Sequence, residues 1–119
     1  MQILIHRIYN NDMPKGYRVL VDRLWPRGVS KQQALLDAHW KELTPSNELR
    51  QWFNHEPSKW EIFKQKYFEE LNHQQQLAMM YLQEVTQENL ILLYAAKDTK
   101  HTHALVLQEF LNKILKKIQ

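Results

Sequence analysis

Two short stretches, Val19-Leu-Val21 and Leu90-Ile-Leu-Leu-Tyr-Ala-Ala96, limit the fold more than any other part of the chain. Each is apolar at successive positions, so no face of either segment suits water. A surface helix spaces its apolar residues three and four apart, and a half-exposed strand places them at every second position. An unbroken run this short fits a strand covered on both faces, as in a parallel α/β sheet. The segment from Ile3 to Ile8 reads as a further strand. The expected strands are therefore residues 3–8, 18–23 and 90–95.

Between the second and third strands the pattern turns helical. Ser30 with Gln33 matches a capping box and predicts a short helix reaching Ala38. Thr44 before Pro45, with Glu48 in the first turn, predicts a second helix that buries Leu49, Trp52 and Phe53 and stops before Pro57. Ser58 with Glu61 reads as another capping box, opening a longer helix with Trp60, Phe63, Tyr67 and Leu71 on one face. The polar Asn72-His-Gln-Gln-Gln76 either breaks or exposes that helix before Leu77 to Val85 continues it. The last helix, from Thr102 to Lys117, sets Ala104, Leu107, Leu111, Ile114 and Ile118 on one side. The expectation is one α/β domain over residues 1–119. It has a small, mainly parallel sheet of three to four strands with helices packed on it, and a long helical insertion between strands two and three. The link from Tyr9 to Tyr17 is shorter than the dozen or more residues of an ordinary crossover. The relative direction of the first two strands therefore stays open.

Composition removes several kinds of function. There is no cysteine, so disulfides, thiolate nucleophiles and cysteine-ligated metals are excluded. The two glycines, Gly16 and Gly28, are too few for a dinucleotide fingerprint and wrongly placed for a P-loop. A net charge of +3 is mildly basic and argues only weakly for nucleic acid. No apolar run approaches the roughly 18 residues of a membrane span, and the first residues lack the layout of a signal peptide. A cytoplasmic protein without a membrane partner is expected.

The residues most suited to chemistry follow the strands. In open α/β sheets, ligands bind beyond the carboxyl ends of the strands. Arg23, Trp25 and Arg27 crowd the end of the second strand, closed by Pro26 and Gly28. Arginine offers a planar fork of donors to phosphate or carboxylate oxygens, and an indole can stack on a base or sugar. The structural reading of the same loop pairs Asp22 with one arginine and plugs the core with Trp25. The third strand runs into Lys97, Asp98, His101 and His103. Lys97 adds charge for an anion, and Asp98 or His103 can act as acid or base. Asp98 with His101 and His103 also has ligand chemistry, but without a supporting acidic cluster no metal is expected. The reading calls for no cofactor. Ser30, Ser46 and Ser58 are explained as caps or turn residues. Trp52 and Trp60 are expected in the core, and Trp40 either caps the sheet or lines a cleft. Lys113, Lys116 and Lys117 suit a solvated helix end.

The motifs Gly16-Tyr-Arg-Val-Leu-Val-Asp-Arg-Leu-Trp-Pro-Arg-Gly28, Lys41-Glu-Leu-Thr-Pro-Ser46, Leu92-Leu-Tyr-Ala-Ala-Lys-Asp98 and His103-Ala-Leu-Val-Leu107 carry a resemblance. Leu49-Arg50, Trp52-Phe53, Phe63 and Tyr67 add to it. Over essentially its whole length the chain resembles the YeaO-like family of uncharacterised bacterial proteins, a domain of unknown function. The resemblance implies an α/β fold with a small, mainly parallel sheet and implies no activity. Arg23, Trp25, Arg27, Lys97 and Asp98 fall in the family's motifs. Thr102 stands where many members have asparagine, so a contact made by that asparagine is altered here.

Three functions are compatible with these residues. The first is a domain binding a small phosphate- or nucleotide-type anion, with Arg23, Arg27 and Lys97 as the anion-binding group, Trp25 stacking, and an enzymatic role for Asp98 and His103 left open. The second is a nucleic-acid-binding module, disfavoured because the arginines sit in a strand and loop and not on a recognition helix. The third is a structural or interaction protein in which the motif only stabilises the fold. Oligomeric state is not specified by the sequence.

Overall fold

Four strands make the sheet, and every pairing is parallel. The computed structural model describes residues 1–118. Strand β1 is Gln2–Arg7, β2 Tyr17–Leu20, β3 Ala38–His39 and β4 Asn89–Tyr94, in the spatial order β1-β4-β2-β3. The helices are α1 Lys31–Ala34, α2 Asn47–Phe53, α3 Trp60–Asn72, α4 Gln75–Glu84 and α5 His103–Ile118. The first two strands are thus parallel but never touch, because β4 lies between them and pairs with both. The short 9–16 link suffices because it crosses as a loop and needs no helix.

The unbroken apolar runs are covered on both sides, by unlike layers. Val19, Val21, Leu90, Leu92 and Tyr94 face α2 to α5 in one large cluster. Leu20, Ile91 and Leu93 face the other way, against Ile8, Ala34 and partly buried Met13, Val29 and Leu36. That second cover is two loops and a single helical turn. The molecule measures 20 Å along its shortest axis, which fits one sheet and one helix layer at about 10 Å apiece. Gly16 marks the tightest passage, where the crossover enters β2. A Cβ there would lie 2.4 Å from the carbonyl oxygen of Asn89 at the start of β4, and its φ of +156° disfavours other residues as well.

Most helical expectations hold, with differences at the ends. Ser30 and Gln33 form the full capping box, but α1 closes at Ala34 on the left-handed Leu35, and Ala38 belongs to β3. A two-residue strand carries no periodicity to detect. The cap of α2 is Ser46, not Thr44; Ser46 Oγ accepts from Leu49 N–H, while the Thr44 hydroxyl donates to Lys41 O. Glu70 of α3 accepts from both the N–H and the hydroxyl of Ser46, so α3 holds the entry to α2. The Ser58 capping box does not form, because Pro57–Lys59 makes a 3-10 turn that feeds α3 directly. Trp60, Phe63, Tyr67 and Leu71 are all buried on α3 as expected. Trp52 is only half-buried, with Lys59 and Lys66 ammoniums 5.0 and 4.5 Å from its ring. Trp40 is buried and stacks on Tyr81. Ile118 lies exposed past the end of the α5 face.

β1 is an edge strand, a place where foreign strands can pair. Gln108 of α5 blunts it by donating from Nε2 to Ile3 O, and the turn at Asn10 takes up Arg7 O.

Candidate functional site

The carboxyl ends of β2 and β4 meet at Asp22. The ladder continues one residue past β2, where Val21 N–H donates to Leu93 O. Asp22 Oδ2 then accepts from Ala95 N–H at 3.0 Å, sealing the place where the two strands diverge. His103, the first residue of α5, donates from Nε2 to Val21 O at 2.7 Å and lies 3.3 Å from Asp22 Oδ1. His39, at the end of β3, donates from Nε2 to Asp22 O at 2.6 Å. A carbonyl oxygen has no proton to give, so both histidines carry a proton on Nε2. Asp22 therefore bonds backbone through Oδ2, while its buried Oδ1 has no hydrogen-bond partner among the described residues and pairs with no arginine, unlike the structural reading of the loop.

The two arginines of the loop part company. Arg23 turns toward the helix layer, where Nη2 reaches Pro45 O at 3.4 Å, at the weak end of hydrogen bonding. Its Nε is buried with no acceptor, and among the described residues the guanidinium makes no ion pair. Arg27 is exposed; its carbonyl accepts from the Tyr9 hydroxyl at 2.8 Å, while its guanidinium bonds nothing among the described residues. Trp25 is 40 % exposed, with its indole N–H donated to Val29 O at 2.6 Å and its ring edge-on to His39. The polar edge is tied down and part of the ring stays open to solvent, so Trp25 does not plug the core. Gly28 ends the loop at a φ of +74°, a left-handed conformation that glycine adopts without strain.

The end of β4 is built locally. Asp98 accepts from the N–H groups of Lys100 and His101, and from His101 Nδ1 at 2.7 Å. The His101 hydrogen bond, foremost, holds the Asp98 carboxyl below its ordinary value. The two residues expected as acid or base have different partners, Asp98 being bonded to His101 and His103 to Val21 O. Lys97 is exposed and makes no ion pair among the described residues. Thr102 is buried and acts as the cap of α5, accepting from Ala104 N–H at 3.4 Å.

Arg7, Tyr9 and His39 join this edge without having been singled out from sequence. Arg7 Nε donates to Ala96 O at 3.1 Å, and its guanidinium lies 4.9 Å from the Tyr9 ring. The rule that selected Arg23 and Lys97, a charged residue at the carboxyl end of a strand, applies equally to Arg7, the last residue of β1. His39 had no such signal, because β3 has none. Depressions of about 300 and 410 Å³ lie elsewhere, one beside Trp60 and Lys100, the other on the α3–α4 turn.

The fold defines a class: a small α/β domain whose sheet, among the described residues, is parallel throughout. The family described as the "Inactive DUF488-N3 subclade" matches residues 2–119, and the chain belongs to it. It is similar to the uncharacterised protein YeaO of Escherichia coli, with 41 % identity over 115 residues, 96 % of this chain and all of that one. It is also similar to uncharacterised proteins of Mycobacterium bovis and Mycobacterium tuberculosis, with 34 % identity over 113 residues, 93 % of this chain and 94 % of each relative. No solved structure matches the chain. No helix among the described residues is long and apolar enough to cross a membrane.

Proposed function

We propose that this protein binds a small phosphate-bearing molecule of nucleotide type at the carboxyl edge of its sheet, as a binding domain without turnover. The observation that carries this reading is Arg23. Its guanidinium is half-buried and unaccompanied by any described carboxylate, and charges taken from water are otherwise paired. An oxyanion would supply the missing partner. Arg27 and Lys97, both exposed and unpaired among the described residues, add positive potential around it. Trp25 offers an indole for stacking. The absence of turnover rests on the word "Inactive" in the family description, and on the engagement of both candidate groups, Asp98 by His101 and two backbone N–H groups and His103 by Val21 O.

Phosphate and adenosine monophosphate should both raise the Tm by mass action. Arg27→Ala should leave stability within about 0.5 kcal/mol, as for most surface changes, while reducing that ligand-induced rise. Trp25→Ala should weaken adenosine monophosphate more than inorganic phosphate. If neither ligand moves the Tm of the wild-type chain at millimolar concentration, the reading fails. A single nucleic-acid strand is the second reading, favoured by exposed Trp25 and by exposed Tyr9 beside Arg7. Its mark is steep weakening of oligonucleotide binding with salt.

A further inference from the structure

A second arginine stands in the same condition as Arg23. Arg50 is half-buried, its Nε is covered and has no acceptor, and it forms no ion pair among the described residues. Its one bond runs from Nη2 to Asn47 Oδ1 at 2.6 Å. Helical side chains lean toward the helix amino terminus, so Arg50 reaches back from the last turn of α2 to its first. Arg23, from the end of β2, sets Nη2 3.4 Å from Pro45 O, two residues before Asn47 in the chain. Two guanidiniums are therefore moored on one three-residue turn, Pro45 to Asn47. The carboxylate nearest in the chain of bonds is Glu70, and both its oxygens are taken by Ser46. Burying a donor without an acceptor costs about 1–3 kcal/mol, and such groups in a folded protein call for an explanation such as an absent ion. Arg23 and Arg50 are the arginines in which a buried Nε lacks a partner among the described residues, and they share this turn.

We propose that Arg50 is the second anion-binding arginine of the site, and that a phosphate group is clamped between Arg23 and Arg50 at the Pro45–Asn47 turn. This rests on the anion-binding reading above and adds a direction to it. The anionic end of the ligand lies on the helix side of the sheet edge, and Trp25, Arg27 and Lys97 meet the remainder. Paired forks suit the oxygens of one phosphate group, which can accept from both. A lysine in either place would keep the charge and lose the fork.

The test uses the whole chain and inorganic phosphate as the probe. Calorimetry measures Kd for the wild type, Arg50→Lys, Arg23→Lys and, as a remote loss of one cation, Lys113→Gln. Losing a hydrogen bond to a charged group corresponds to about tenfold or more in Kd. Arg50→Lys and Arg23→Lys should each weaken phosphate by about that factor, and Lys113→Gln should change Kd by less than about twofold. In the unmodified protein, phosphate should shift the Nε–H resonances of Arg23 and Arg50 together in a nitrogen–proton spectrum, which decides the matter even if a variant folds poorly. If Arg23→Lys weakens phosphate while Arg50→Lys and the Arg50 resonance stay unchanged, the clamp is wrong and the anion-binding reading survives. If the wild type shows no phosphate binding, both fall.

Discussion

Asp98 and His101 sit three residues apart, with 42 % and 32 % of their side chains exposed; Asp22 and His103 come from opposite ends of the chain and are 19 % and 18 % exposed. Both pairs stand at the same edge of the sheet, and each histidine rests edge-on against an aromatic of α3. His101 lies 5.6 Å from Trp60 and His103 lies 6.3 Å from Tyr67, between ring centroids. The local pair shapes one loop. The distant pair, with Ala95 N–H and Val21 O, holds β2, β4 and α5 to one another. A contact that closes a long loop between elements should matter to the whole fold, and one inside a turn should matter to that turn alone.

The largest blow to the distant pair should come from below. Tyr67 is fully buried and donates its hydroxyl to Leu43 O at 2.6 Å. Tyr67→Ala should cost about 3–5 kcal/mol, as for other buried aromatics, read as a fall in the urea midpoint. Asp22→Ala comes next. It strips partners from Ala95 N–H and His103 and should cost about 1.5–3 kcal/mol, the range for hydrogen bonds to charged groups. A loss as small as that of Asp98→Ala would erase the distinction between the pairs.

Acid sharpens the other half of the comparison. The Asp98 carboxyl is held below its ordinary 3.8, chiefly by His101, so its contribution to stability is present above that value and is lost as pH falls through the lowered one. Urea midpoints of wild type and Asp98→Asn should differ modestly at neutral pH and converge below pH 3.8. The smallest effect lies away from both pairs. Tyr81 donates to Glu42 at 2.8 Å, and burial foremost, with that bond, pushes its hydroxyl up to about 12. Stability from this contact is complete below about 10 and fades as pH rises toward 12. Tyr81→Phe should flatten that alkaline slope and also lessen the loss of stability in acid, because the same bond, foremost, holds the Glu42 carboxyl below its ordinary value.

The same contrast explains what the sequence could disclose. The buried runs at Val19–Val21 and Leu90–Tyr94 carry their own signature, as does the α3 face from Trp60 to Leu71, because burial on a regular element imposes a period. Ser30 with Gln33 was legible for the same reason, as a bond between neighbours. Asp22 meeting Ala95 and His103 was not, since nothing local records which strand end lies opposite. The serine choice at α2 depended on Glu70, which no capping pattern includes. Pro57 diverted the expected Ser58 cap into a 3-10 turn, a competition between neighbouring local rules. Arg23 and Lys97 stand out in the sequence as candidates by their place at strand ends, whereas Arg50 reads as an ordinary helix-surface residue until its buried, partnerless Nε is seen.

The placement of β4 between β1 and β2 has a consequence for how the chain acquires its form. Both early strands wait for a neighbour that is made three quarters of the way along the sequence. Before Asn89 to Tyr94 is present, β1 has no hydrogen-bonded neighbour and β2 has only the two-residue β3. Closing such distant pairings comes at an entropic disadvantage and slows folding. Helices α2 and α3 can form earlier, since they pack on each other, and would offer Phe63 and Tyr67 as a surface onto which the central strand docks. Assembly of the sheet should therefore wait on β4, leaving Ile3, Leu4, Ile5 and Ile8 in need of shelter until that strand is made.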